Sequence, residues 1–201
     1  MEDDIIEMLA KIKQNNNEGC VNFIIDNNTE RNSFERELGL LDEQVFKNRE
    51  NLILSLFIKR NGLIITDEEL QFVSKLKNVK KIEIAGSNNK SYAPLKNMVG
   101  LTYFSTNHHK ILDISFLEKL IRLKELVLCG EIVNIDCIGG CKNLEKMFLS
   151  ISFKAEQLYF LTELAHLKEL WIKTKKNEEF EKLKKCFCEN GKEEIIKKCK
   201  G

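Results

Sequence analysis

One short apolar phrase, with intervals of three and then two residues, returns along most of this 201-residue chain and limits what it can fold into. Its copies are Val79-x-x-Ile82-x-Ile84, Met98-x-x-Leu101-x-Tyr103, Leu123-x-x-Leu126-x-Leu128, Leu144-x-x-Met147-x-Leu149 and Leu167-x-x-Leu170-x-Ile172. An earlier copy, Ile53-x-x-Leu56-x-Ile58, continues into Asn61 and Leu63. At the second apolar position the copies stand at 56, 82, 101, 126, 147 and 170, in steps of 26, 19, 25, 21 and 23. A period of that size predicts a stacked array, since a unit of roughly 20–29 residues cannot bury both of its faces alone.

The local pattern says what each unit is. A triplet such as Leu126-Val127-Leu128 suits a short strand whose outer two side chains turn inward. The preceding spacing of Leu117, Leu120 and Leu123 puts three leucines on one side of a helical or 3₁₀ segment that packs against that strand. Stacked, such units form one continuous core beneath a parallel sheet. A bundle of amphipathic helices is the competing architecture, because L-x-x-L also fits one helical face. The strand-like alternation that ends every phrase, and the short window between phrases, argue against it.

These residues resemble the leucine-rich repeat family, whose consensus is L-x-x-L-x-L-x-x-N-x-L, over roughly residues 50 to 175. Leu112-Asp113-Ile114-Ser115-x-Leu117-x-x-Leu120-x-x-Leu123 and Ile65-Thr66-Asp67-x-x-Leu70-x-x-Val73-x-x-Leu76 are similar to the short internalin-type subclass. The resemblance implies an α/β solenoid with a curved parallel sheet on the concave face and short helical or 3₁₀ segments on the convex face. It implies a scaffold and not a chemistry. In the family the consensus asparagine turns inward to hydrogen-bond loop backbone. Here its position holds Asn61, Ser87, Thr106, Glu131, Ser152 and Lys175. Serine and threonine can do part of that work, whereas Glu131 and Lys175 are expected to swing out to solvent, because burying them unpaired is costly. A one-residue slip would bring Asn107 to the position of Thr106.

Three segments follow. Residues 1–50 are expected to be an N-terminal cap. It would hold an amphipathic helix through Ile5, Ile6, Leu9 and Ile12, and an extra strand at Cys20-x-x-Phe23-x-Ile25. Residues 51–175 carry the repeats, and residues 176–201 form a helical cap through Phe180, Leu183 and Phe187. Charge is uneven: residues 1–50 hold 12 acids and 6 bases, a net of −6, and residues 173–201 hold 10 lysines and 6 glutamates, a net of +4, within a total of +1. No basic stripe of the kind nucleic acid needs is present, so a nucleic-acid partner is not expected. No apolar run approaches the roughly 20 residues of a membrane helix, and Met1-Glu2-Asp3-Asp4 does not open like a secretory signal. The expectation is a cytoplasmic protein without a membrane partner.

Catalytic signatures are absent: there is no G-x-G-x-x-G, G-x-x-x-x-G-K-[ST], G-x-S-x-G or H-E-x-x-H. The seven cysteines form no C-x-x-C pair, so Cys137 and Cys141 read as apolar filler, with a redox or metal role for Cys186, Cys188 and Cys199 as the lesser alternative. His108 and His109 are expected in a solvated loop, and His166 at a convex position. No metal, cofactor or catalytic residue is expected.

Function must then lie on a surface. Between the two inward residues of each strand lies one outward residue: Phe57, Glu83, Thr102, Val127, Phe148 and Trp171. Just after the strands come Lys59, Ala85, Phe104, Cys129, Ser150 and Lys173. Phe57, Phe104, Val127, Phe148 and Trp171, flanked by Lys59 and Lys173, are the expected partner-binding residues of the concave face, because buried aromatics dominate interface energy. The expected function is a non-catalytic adaptor, regulator or inhibitor that binds a protein. The alternative is a regulatory subunit of an enzyme such as a phosphatase, or a toxin-neutralising immunity-type protein.

Overall fold

The computed structural model describes residues 19–26, 31–40, 43, 52–59 and 62–199. Its strands are β1 (Gly19–Ile25), β2 (Leu52–Lys59), β3 (Val79–Ala85), β4 (Tyr103–Asp113), β5 (Glu125–Val133), β6 (Lys146–Ile151), β7 (Glu169–Ile172) and β8 (Ile196–Lys198). They lie in chain order in one 8-stranded sheet, and each neighbouring pair is parallel. Returns between strands are α1 (Arg31–Leu40), α2 (Asp67–Lys75), the 3₁₀ segments Ala93–Asn97, Ser115–Lys119, Ile135–Gly140 and Ala155–Glu163, and α3 (Asn177–Glu189) with the 3₁₀ turn Glu193–Ile195. From α2 onward each return packs on the next. This is the expected α/β leucine-rich repeat solenoid.

Register shows why the phrase folds this way. Leu56, Ile82, Phe104, Leu126, Met147 and Leu170 pair in one continuous row, and Ile58, Ile84, Thr106, Leu128, Leu149 and Ile172 in the next. All twelve are buried. Each fully buried aliphatic side chain contributes roughly 1.5–3 kcal/mol, and it finds its neighbours only in the units above and below. The turns that feed the strands are laddered too. The amides of Thr102, Lys124, Glu145 and Lys168 each donate to the carbonyl of the equivalent residue one unit back, at 2.8 to 2.9 Å.

That ladder corrects one repeat. Leu101 is not a strand centre. It is the counterpart of Leu123 and Leu144, and the fourth phrase is Leu101-x-x-Phe104-x-Thr106. Phe104 is therefore inward and 0% exposed, against its expected place on the open surface. It packs edge-to-face on Phe116 at 5.3 Å and on Tyr92 at 6.3 Å, an aromatic cluster that also takes in His108 at 5.8 Å from Tyr92. Tyr103, expected inward, is half-buried beside Glu83 and Glu125, and Thr102 sits in the turn before the strand rather than on it.

Polar groups are displaced by the same shift. Thr106 lies in the strand, and three residues past it stands His109, so the fourth unit holds neither Thr106 nor Asn107 at the asparagine position. Asn107 is exposed. The buried asparagine that ties turns together is Asn89. Its Oδ1 accepts from the Ile65 amide at 2.8 Å and from the Ser87 hydroxyl, and its Nδ2 donates to the Ile65 carbonyl at 2.7 Å. Glu131, Ser152 and Lys175 are exposed, and Asn61 lies outside the described residues. His108, expected in a solvated loop, is buried within β4, with Nδ1 at 3.2 Å from the Lys110 carbonyl. There β4 bulges between Asn107 and Ile111, and Gly130 of β5 passes so close that a side chain would strike the His108 carbonyl oxygen; its φ of +120° also favours glycine.

The two ends of the sheet differ. β1 carries the Phe23-x-Ile25 phrase in register with Leu56 and Ile58 of β2, whereas the helix read through Ile5 and Ile12 lies outside the described residues. Downstream, Phe180, Leu183 and Phe187 of α3 are buried, and Glu179 accepts from the Ala155 amide at 2.6 Å. Lys192 donates to the carbonyls of Thr162 and Leu164 at 2.7 and 3.3 Å. After α3 the chain adds β8, a strand no phrase announces. Helix α2 starts on a capping box: Thr66 Oγ1 accepts from the Glu69 amide while Glu69 accepts from the Thr66 amide.

Phe104→Ala is expected to destabilise the protein by about 3–5 kcal/mol, and Leu126→Ala or Leu170→Ala by about 2–5 kcal/mol. Tyr103→Ala is expected to cost about 1 kcal/mol. Urea unfolding midpoints of the four variants check the register. Equal losses at positions 103 and 104 would refute it.

Candidate partner-binding site

The outward side chains of a strand are fixed once its inward ones are, because successive residues alternate faces. On the face of the sheet away from the returns, the middle row therefore runs Phe57, Glu83, Ser105, Val127, Phe148, Trp171 and Lys197, each the register partner of the next. Of the expected site residues, Val127, Phe148 and Trp171 come together as three neighbours on β5, β6 and β7. Val127 and Phe148 are half-buried, and Trp171 is 37% exposed. Phe57 is half-buried at the opposite end, beside Ile24 and separated from Val127 by Glu83 and Ser105. Phe104 belongs to the core. Lys59 ends β2 beside Phe57, and Lys173 follows β7, hydrogen-bonded through its amide to the Leu149 carbonyl at 2.8 Å; both lysines are exposed.

A largely charged row flanks the aromatics on one side. Along it run Lys81, Tyr103, Glu125, Lys146 and Glu169. Lys81 lies 5.7 Å from the Tyr103 ring centre and Lys146 pairs with Glu169 at 3.8 Å. Burial pushes the Tyr103 hydroxyl up, with a further push from Glu83 and Glu125. Glu169 also receives the Trp171 indole N–H at 3.3 Å, while Lys197 Nζ lies over the ring, 5.0 Å from its centre. Trp171 is thus held in orientation by groups of both signs. A cleft of about 170 Å³ lies beside this row, with Val127, Phe148 and Trp171 on one side, Glu125, Lys146 and Glu169 on the other, and Leu126 and Met147 beneath.

Among the described residues no group of three or more His, Cys, Asp or Glu could hold a metal ion. Burial pushes the thiols of Cys137 and Cys141 up to about 12, and their Sγ atoms donate to the carbonyls of Ile114 and Leu117 at 3.0 and 3.2 Å, as hydrogen-bonded filler between stacked turns. The Cys129 thiol on the open face is also pushed up by burial, with Lys173 opposing. No helix among the described residues is long and apolar enough to cross a membrane.

One surface escaped the sequence reading. At the carboxyl ends of the strands Ile64, Ile111 and Val133 stand 63%, 56% and 42% exposed around a groove of about 1090 Å³, rimmed by Lys90, Lys110, Asp67, Asp113 and Glu131. These aliphatic residues fall outside the repeat phrase. Ile111 and Val133 lie at the far ends of β4 and β5, and Ile64 follows β2, each beside another apolar residue that turns inward or packs on the core.

No family model matches the chain, and no curated protein matches it. Solved structures with similarity to it include internalin C2 of Listeria monocytogenes, 22% identical over 61% of this chain and 52% of that one, with a TM-score of 0.48. A second internalin of the same organism is 15% identical over 66% of this chain and 45% of that one, with a TM-score of 0.46. The chain therefore spans about half the length of each.

In native alkylation followed by mass mapping, exposed Cys188 is expected to be labelled first, and Cys141 and Cys137 only as the protein unfolds, because the thiolate is the reactive form and burial suppresses it. Early labelling of Cys141 would mean the stacked turns open readily.

Proposed function

We propose that this chain is a non-catalytic protein-interaction module, an adaptor, regulator or inhibitor, that binds a protein partner through the open face of its sheet at β5 to β7. The observation that carries the reading is the contiguous row Val127, Phe148 and Trp171, in which Trp171 stays 37% exposed. A rigid apolar and aromatic strip bordered by charges is the composition of an interface core with a polar rim. Such a strip stands apart from the residues that hold the fold, so binding and stability can be varied separately. Regulation of an enzyme and neutralisation of a toxin both fit such a surface, and an activity assay of the recovered partner, with and without this chain, separates them.

Phe148→Ala and Trp171→Ala are expected to leave the melting temperature nearly unchanged and to weaken a captured partner by about 2 kcal/mol or more each. Phe57→Ala, at the far end of the row, is expected to change binding little. Lys173→Glu should alter association rate and salt dependence, with Lys59→Glu a weaker effect of the same kind. Titration calorimetry reads all of these. Full affinity in both aromatic variants, with loss in Ile111→Ala, would move the site to the groove at the strand ends and refute the open-face reading.

A further inference from the structure

The open face is not only apolar at its β7 end; it is polarised, and the polarity suggests what a partner must present. On the β3 to β5 side stand Glu83, within the row, and Glu125, beside it, against the single lysine Lys81. On the β8 side, Lys197 and Lys173 are exposed, and neither has a carboxylate partner among the described residues. The cleft of about 170 Å³ opens beside Val127, Phe148 and Trp171, and of the charges on its other side, Glu125, Lys146 and Glu169, the last two pair with each other at 3.8 Å. An apolar cavity of about 150 Å³ holds a benzene-sized group, so the cleft accommodates one large apolar side chain.

Resting on the open-face reading above, we infer that the β6 to β8 end of the sheet recognises an extended segment of a partner protein carrying one large apolar residue followed, two or three residues on, by a carboxylate. Spacing sets that interval. Phe148, Trp171 and Lys197 are successive register partners, on strands about 4.8 Å apart, so Lys197 lies about 7 Å from the midpoint of the Phe148–Trp171 pair. Lys173 lies two residues beyond Trp171 along the chain, again about 7 Å away. An extended chain advances about 3.3 Å per residue, which covers the interval in two residues, and in three when a lysine side chain reaches outward. Orientation follows from charge. Reversing the segment would carry its carboxylate toward Glu125 and Glu83, where like charges repel. The anchor itself is already ordered: Glu169 accepts from the indole N–H at 3.3 Å and Lys197 covers the ring at 5.0 Å, so little side-chain entropy is lost when the cleft fills.

The test is selection of a random ten-residue peptide display library on the full chain. Winning peptides are then titrated against the emission of Trp171, which is the single tryptophan of the sequence and therefore reports on this cleft alone. The expected winners share an apolar residue followed two or three positions later by Asp or Glu. Replacing that acid by its amide should weaken binding about two- to fivefold at low salt. The Lys173→Gln/Lys197→Gln double variant should bind acid and amide peptides equally. Trp171→Ala, followed by a label on the peptide, should lose about thirtyfold or more. Winners that need Trp171 but show no acid preference would overturn this inference and leave the open-face reading standing. Winners that bind Trp171→Ala as well as the wild type would overturn both. Failure to enrich any peptide would overturn the extended-segment inference, while the partner-capture measurements decide the open-face reading independently.

Discussion

Parallel register is the constraint from which the rest of this molecule follows. A strand has a side-chain period of two, so pairing Leu126 with Met147 and Leu128 with Leu149 places two inward residues per unit and leaves one outward between them. No unit can slip alone. A shift of one residue in β5 would bring Val127 inward and expose Leu126 and Leu128, losing several kcal/mol of burial at once. The aromatic row of the open face is thus a by-product of the core in its position, though not in its composition. The core requires something outward at 127, 148 and 171, and only the choice of Val, Phe and Trp there is free for function.

Most of the solenoid was legible because its determinant is local and repeated. The phrases at Leu56, Ile82, Leu126, Met147 and Leu170 are each strand and turn in a few residues, and these five positions are buried in the strands they announce. The fourth repeat was misphased because Met98-x-x-Leu101-x-Tyr103 and Leu101-x-x-Phe104-x-Thr106 both satisfy the spacing, and the first looks more apolar. The chain carried the correcting signal in its own rhythm. With Phe104 in place of Leu101, the steps from 56 become 26, 22, 22, 21 and 23, smoother than 26, 19, 25, 21 and 23. Stacking favours even spacing more than it favours an all-apolar phrase, since a threonine at 106 can be buried beneath Leu128 while an uneven unit strains both neighbours.

Three features were not legible, for different reasons. Asn89 ties the Ile65 turn from a position outside the consensus, because its role is defined by backbone groups 24 residues away that no local pattern names. β8 is three residues long and has no phrase of its own; it forms because α3 returns the chain to the open edge of β7. The groove beside Ile64, Ile111 and Val133 depends on the β4 bulge and on close passage at Gly130, tertiary facts with no periodic trace.

The last strand joins the structural argument to the functional one. A parallel sheet has to end somewhere, and an exposed edge invites pairing with another chain. Here the C-terminal edge is short and bears Lys197 and Lys198, and Lys198 is turned to Asn177 and over the Phe180 ring, which binds the strand to α3. Short length and like charges are the devices that blunt an edge. Lys197 serves in a second way, because its register places it over Trp171 and beside the cleft. A lysine that repels another copy of the same edge attracts a carboxylate carried on a different chain. The two demands are therefore met by one charge, and neutralising Lys197 removes protection and recognition together, which separates it from Phe148 and Trp171, whose apolar surface serves binding alone.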